Sequence, residues 1–131
     1  MKEGYTLITG ASKGIGLELT KIFAKNHHNL ILVARSKDVL IKLKDNLTKE
    51  YNIKIEVIVA DLTIHNVATE IYQKTKELGC RVDYLINNAG FGDYGEFLDS
   101  SMIKNHNMVH INIISCLLYT SPSPRDAHES R

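Results

Sequence analysis

The sequence predicts a doubly wound α/β domain on a parallel sheet, truncated after about four strands and the helix that follows them. Three observations carry this. Four short runs are apolar throughout and rich in β-branched residues, three segments of helical length and period separate them, and a glycine-rich turn joins the first run to the first helix. Unbroken apolarity, in place of alternation, marks strands covered on both faces. Strict strand–helix alternation with right-handed crossovers then gives a parallel sheet with helices on either side.

The first strand is "YTLIT" at 5–9, ended by Gly10. A helix follows in which Ile15, Leu19, Ile22 and Phe23 fall on one face at helical spacing. "NLILVA" at 29–34 is the second strand, and Val39, Leu40, Leu43 and Leu47 mark the apolar face of the second helix. "IEVIVA" at 55–60 is the third strand. The third helix runs from about His65 to Leu78, with Val67, Ile71, Tyr72 and Leu78 set among Lys and Glu. "VDYLIN" at 82–87 is the fourth strand, and it leads into the glycine-rich loop "NNAGFGDYGEF". A last helix is expected from about Ser100 or Ser101, carrying Met102, Ile103, Met108, Val109, Ile111, Ile113 and Ile114.

With 131 residues there is room for one domain and not for a separate substrate domain. No apolar run is long enough to cross a bilayer, and the apolar amino-terminal segment breaks at Gly10, too early for a signal peptide. A cytoplasmic location without a membrane partner is therefore expected. The net charge of +1 supplies no basic field for nucleic acid. Cys80 and Cys116 form neither a disulfide framework nor a metal motif, and His106 and His110, four apart, lack a third ligand, so no metal is expected. His27 and His28 close the first helix, where a cation suits the dipole.

The chemistry lies in "TGASKGIG". Gly10, Gly14 and Gly16 sit between a strand and a helix, where a tight turn brings backbone N–H groups and a helix N-terminus toward a pyrophosphate. The four-then-two spacing differs from the usual dinucleotide fingerprint, and a P-loop is excluded because Lys13 precedes Gly14 with no Gly-Lys-Ser/Thr after it. A plain structural turn is the alternative. The second strand ends at Ala34, where a domain selecting NAD places an acid for the ribose hydroxyls. Arg35 follows, and Lys13 lies in the glycine loop. Two cations with no carboxylate suit a 2′-phosphate, so NADP(H) is preferred over NAD(H), unless both are merely solvated surface charges.

Gly10, Gly14 and Gly16 in "TGASKGIG", with "NNAG" at 87–90, "AD" at 60–61 and Asn112, resemble the short-chain dehydrogenase/reductase family over Met1 to about Ser115. "VAR" at 33–35 and "NNAGFGDYGEF" are most similar to its bacterial general carbonyl or ketoacyl reductases. The resemblance implies a Rossmann-like fold and a homo-oligomeric parent enzyme that reduces a carbonyl or 3-oxoacyl substrate. It also implies cofactor contacts from Gly10, Ser12, Lys13, Gly14, Ile15, Gly16 and Arg35. Asp61 and Leu62 would meet the adenine, with a helix N-cap as the other role open to Asp61 or Thr63. Asn88, Ala89 and Gly90 would pass beside the nicotinamide ribose, or tie neighbouring strands, or both. Asn112 would perturb its helix and hold a water serving the catalytic lysine. It is also a polar residue in the apolar run "MVHINII", where burial is costly unless the amide is bonded.

The family's Ser, Tyr and Lys, expected beyond Asn112, cannot be assigned. Tyr119 is followed four residues later by Ser123, and the last lysine is Lys104. Both prolines, Pro122 and Pro124, fall in "CLLYTSPSPRD" at 116–126, which is similar to one reading frame of a transposase-end sequencing adapter. Residues 1–115 are thus expected to be a partial nucleotide-binding domain and 116–131 a non-native or disordered tail. Truncation is expected to leave "VDYLIN" as an unpaired edge strand. The rival functions are a nucleotide-binding module or pseudoenzyme of the same fold and, more distantly, a methyltransferase, which would want an acid at position 34.

Overall fold

The computed structural model describes residues 3–88 and 112–115, the latter as backbone. Its elements are β1 (Gly4–Thr9), α1 (Gly14–Lys25), β2 (Leu30–Ala34), α2 (Lys37–Tyr51), β3 (Ile55–Val59), α3 (Val67–Glu77), β4 (Arg81–Asn87) and β5 (Asn112–Ser115). They form one sheet in the order β3-β2-β1-β4-β5. The first four strands pair in parallel. This is the doubly wound α/β architecture that the sequence predicts, and its direction reverses between β1 and β4.

Successive residues of each inner strand feed opposite layers. Leu7, Ile31, Val33, Ile58 and Leu85 join Val67 and Ile71 of α3. Ile8, Leu30, Leu32 and Ile86 join Leu40 and Leu47 of α2 and Ala24 of α1. That double cover is why the strands read as unbroken apolar runs. Each fully buried Leu or Ile contributes roughly 1.5–3 kcal/mol through the apolar surface it removes from water.

The helices are seated differently from their apolar spacing. In α1 the buried residues are Gly16, Thr20 and Ala24, one small stripe at i, i+4, i+8, while Leu19 and Phe23 pack only partly. Ile15 and Ile22 are 52% and 53% exposed. Small residues win this face because they let the helix approach the sheet closely at Gly16. In α2, Leu40 and Leu47 are buried and Val39 is exposed; in α3, Ala68 and Thr75 join Val67 and Ile71 inside, and Leu78 lies outside.

Two expectations fail at β5. Residues 112–115 are extended, not helical, and they pair antiparallel with β4 from Tyr84↔Ser115 to Asn87↔Asn112. The β-branched pair Ile113 and Ile114 suits a strand, and pairing satisfies backbone groups along β4 that would otherwise need water. The fourth strand is therefore not an edge; among the described residues β3 and β5 are. Most of the expected last helix, residues 100–111, lies outside the described residues, as do Ala89, Gly90, His106, His110 and the tail from 116. Among the described residues no helix is long and apolar enough to cross a membrane, and no cluster of three or more His, Cys, Asp or Glu could hold a metal.

Candidate cofactor-binding site

The predicted glycines converge at the carboxyl end of β1. Gly10 and Gly14 have φ of 65° and 60°, in the left-handed region that glycine alone adopts at no steric cost. Gly16 serves a different purpose. A Cβ there would overlap the Gly10 carbonyl and crowd the Asn88 amide nitrogen, whereas a Cβ on Gly14 would meet nothing within 4 Å. Gly16 thus allows close helix–strand packing, and Gly14 leaves open space in front of the loop.

The loop is anchored from both sides. The Gly10 and Ala11 N–H groups donate to the Val33 carbonyl of β2 at 2.9 and 3.2 Å. Asn88 Nδ2 donates to the Gly10 carbonyl at 3.5 Å, and below it the buried Thr9 hydroxyl donates to Asn87 Oδ1 at 3.2 Å. The "NN" of the fourth strand end therefore braces the glycine loop across the β1–β4 junction. In α1 the first intrahelical donor is Leu17, to the Lys13 carbonyl at 3.3 Å. The amides of residues 14–16 precede that ladder, no side chain caps them, and the first turn carries no acid. Their uncompensated positive end suits an anion. The open space at Gly14, beside helix amides that no side chain caps among the described residues, fits a dinucleotide pyrophosphate.

The ends of β2 and β3 extend the same rim. The Ala60 N–H donates to the Ala34 carbonyl at 3.0 Å, which carries the strand pairing up to Arg35 and Asp61. Arg35 and Lys13 are exposed, and neither closes an ion pair among the described residues. Asp61 is no helix cap: the N-cap of α3 is Asn66. Its Oδ1 accepts from the Thr63 hydroxyl at 2.7 Å and the Thr63 N–H at 3.0 Å. These two bonds hold the carboxyl below its ordinary range, and the positive charge of Arg35 acts in the same direction. Thr63 as the orienter of Asp61 is the residue that sequence reasoning missed, although the Asp-x-Thr spacing of a side-chain-closed turn was its signal.

Ser12, Ile15 and Leu62 lie on this rim, with Ile15 exposed and the other two half-buried. Asn112 is brought to it as well, not from a helix but as the first residue of β5, in register with Asn87. The helix-perturbing role expected of Asn112 has no basis in an extended strand. His28 turns out to be a packing residue away from this rim. Its Nδ1 is 2.9 Å from Thr6 Oγ1, and its ring meets Phe23 edge-on.

A parallel β3-β2-β1-β4 sheet with a glycine loop and an open helix N-terminus at its reversal point defines a nucleotide-binding α/β domain. The model of the short chain dehydrogenase family matches residues 5–123. The chain belongs to the short-chain dehydrogenase/reductase family. It is 37% identical over 91 residues to a very-long-chain 3-oxoacyl-CoA reductase of Kluyveromyces lactis, covering 68% of this chain and 26% of that protein. Among solved structures it resembles L-sorbose reductase of Gluconobacter frateurii complexed with NADPH and L-sorbose, with a TM-score of 0.62, 28% identity, and 70% and 35% of the two chains covered. It also resembles a short-chain dehydrogenase of Sphingobium yanoikuyae in complex with NADPH, with a TM-score of 0.52, 37% identity, and 57% and 30% covered. The chain spans about a quarter to under half the length of the curated relatives it matches.

Proposed function

We propose that this chain is the cofactor-binding half of an NADP(H)-dependent reductase acting on a carbonyl or 3-oxoacyl substrate. The observation that carries the cofactor choice is the rim beside Ala34: the β2 end offers no carboxylate, Arg35 is exposed there, and Lys13 is exposed in the neighbouring loop. The NADPH held by the Gluconobacter and Sphingobium relatives supports the same choice. The substrate class is supported by the 3-oxoacyl-CoA reductases among the relatives.

In this reading the amides of Gly14, Ile15 and Gly16 bind the pyrophosphate, and Gly10 and Ser12 shape the turn around it. Arg35 and Lys13 pair with the 2′-phosphate, Asp61 and Leu62 meet the base, and Asn88, Ala89 and Gly90 pass beside the nicotinamide ribose. Asn112, level with Asn87 on β5, stands as the active-site amide. When bound, the nicotinamide supplies hydride to the carbonyl carbon. The proton for the carbonyl oxygen needs a tyrosine lowered by a lysine, since an unassisted phenol has a pKa of about 10. We assign that pair to the remainder of the full-length protein and read residues 116–131 as a non-native tail, which resequencing the locus tests. A cytoplasmic homo-oligomer belongs to the same proposal.

The deciding experiment measures NADPH and NADH affinities of the full-length protein and of Arg35→Asp. NADPH should bind more tightly, and the variant should lose about tenfold or more in NADPH affinity, as one charge-assisted pair of roughly 1.5–3 kcal/mol becomes a repulsion. Equal affinities for the two cofactors, or an unaffected variant, would overturn the assignment.

A further inference from the structure

The Asp61–Thr63 turn is more ordered than its structural duties require. Two donors from one residue converge on a single carboxylate oxygen, the hydroxyl at 2.7 Å and the N–H at 3.0 Å. The main chain is pinned too, with the Ile64 N–H on the Asp61 carbonyl at 3.1 Å. None of this caps α3, which starts from Asn66. Nor is it a core contact, since Thr63 is exposed and exposed hydrogen bonds stabilise a fold little. What it does fix is direction. A free carboxylate rotates about its terminal torsion, whereas this one has Oδ1 held and Oδ2 without a hydrogen bond among the described residues. Within three residues of it along the chain, Val59 is 40% exposed and Ile64 55% exposed, so apolar side chains are available near the turn.

We propose that Thr63 is a positioning residue for base recognition: by holding Oδ1 of Asp61 it aims Oδ2 at the exocyclic amine of adenine, and so sets a preference for adenine over hypoxanthine. The inference rests on the reading of this rim as the dinucleotide site. Adenine offers an N–H donor to the carboxylate. Hypoxanthine offers a carbonyl oxygen at the same position, which leaves two acceptors facing each other. The two Thr63 bonds favour the ionised carboxylate, the direction in which the Asp61 pKa is displaced.

The test uses calorimetric affinities of the full-length protein for NADP+ and for its hypoxanthine analogue. The unmodified protein should favour NADP+ by about tenfold, the scale of one partly exposed hydrogen bond to a charged group. Thr63→Val, which keeps the branched shape and the N–H bond but loses the hydroxyl, should cut the preference to about threefold or less. Thr63→Ser should retain the preference. If Thr63→Val does not fold, Thr63→Ala carries the same expectation. A carbon NMR titration should show the Asp61 carboxyl pKa rising in the valine or alanine variant and not in the serine one. A ratio unchanged in Thr63→Val, or lost equally in Thr63→Ser, would overturn the role of Thr63 alone. A full-length protein that binds neither dinucleotide would overturn the proposed function itself, which is a different result.

Discussion

Gly14 and Gly16 are two residues apart and do different work, so the same substitution should separate binding from stability. Gly16→Val forces a side chain into the Gly10 carbonyl, a backbone group that cannot step aside. It should cost about 1–3 kcal/mol or more by overpacking, read as a lower Tm with or without cofactor. Gly14→Val meets open space, so its stability cost is the left-handed φ penalty of about 1–2 kcal/mol. Cofactor affinity should nevertheless collapse, because the new side chain occupies the room in front of the loop. Tyr5 supplies a pH test. Burial, with Cys80 beside it, pushes its hydroxyl up to about 12. Its folded pKa lies above the unfolded value of about 10, so its contribution is fully present below pH 10 and is lost as pH rises toward 12. Denaturant unfolding from pH 9 to 12 should show a steeper decline for the unmodified protein than for Tyr5→Phe. At this scale the glycines were legible because backbone geometry restricts residue choice. Thr63 was not, because a hydroxyl two residues from a carboxylate reads equally well as a cap.

Secondary structure shows where periodicity succeeds and where it does not. The four parallel strands lie within one residue of their predicted bounds, because runs of β-branched and aliphatic residues mark them even where Glu56 and Asp83 interrupt the apolarity. Helix existence was equally plain; helix facing was not. Apolar spacing in α1 pointed to Ile15 and Ile22, while the packing of Gly16 against Gly10 turned the small-residue stripe inward. Ile71 is the cleanest probe of an inward face, fully buried on α3 against the β1–β2–β4 surface. Ile71→Ala should cost about 2–5 kcal/mol in equilibrium unfolding, while Ile22→Ala, on an exposed position, should cost well under 1 kcal/mol beyond any helix-propensity gain. The strand at Asn112–Ser115 was missed for a tertiary reason. Its residues suit either state locally, and the open side of β4, more than 20 residues away in sequence, selects the strand.

For the whole chain, the prediction is that residues 1–131 alone catalyse no carbonyl reduction and fold marginally. Tyr119 is not followed by a lysine at the fourth position, and the last lysine is Lys104, so no activated proton donor follows Asn112. Net stabilities of about 5–15 kcal/mol leave little room for lost packing. The pairing of β5 with β4 covers the long apolar edge of β4 and leaves the four-residue β5 as the edge on that side among the described residues, a shorter template for aggregation. NADPH oxidation with a panel of aldehydes and ketones should stay at background, and thermal unfolding should be broad; turnover or a sharp cooperative transition would contradict one half or the other. The hydrogen bond from Asn88 to the Gly10 carbonyl has a kinetic consequence. It joins residues 78 apart, whereas β1, β2 and β3 assemble through neighbours in sequence order. As a nascent chain leaves the ribosome, the phosphate loop is among the first segments out and among the last to be braced. Dinucleotide capture should therefore lag sheet formation in a refolding experiment, appearing only when β4 docks against β1, because closing so long a span is the slow entropic step.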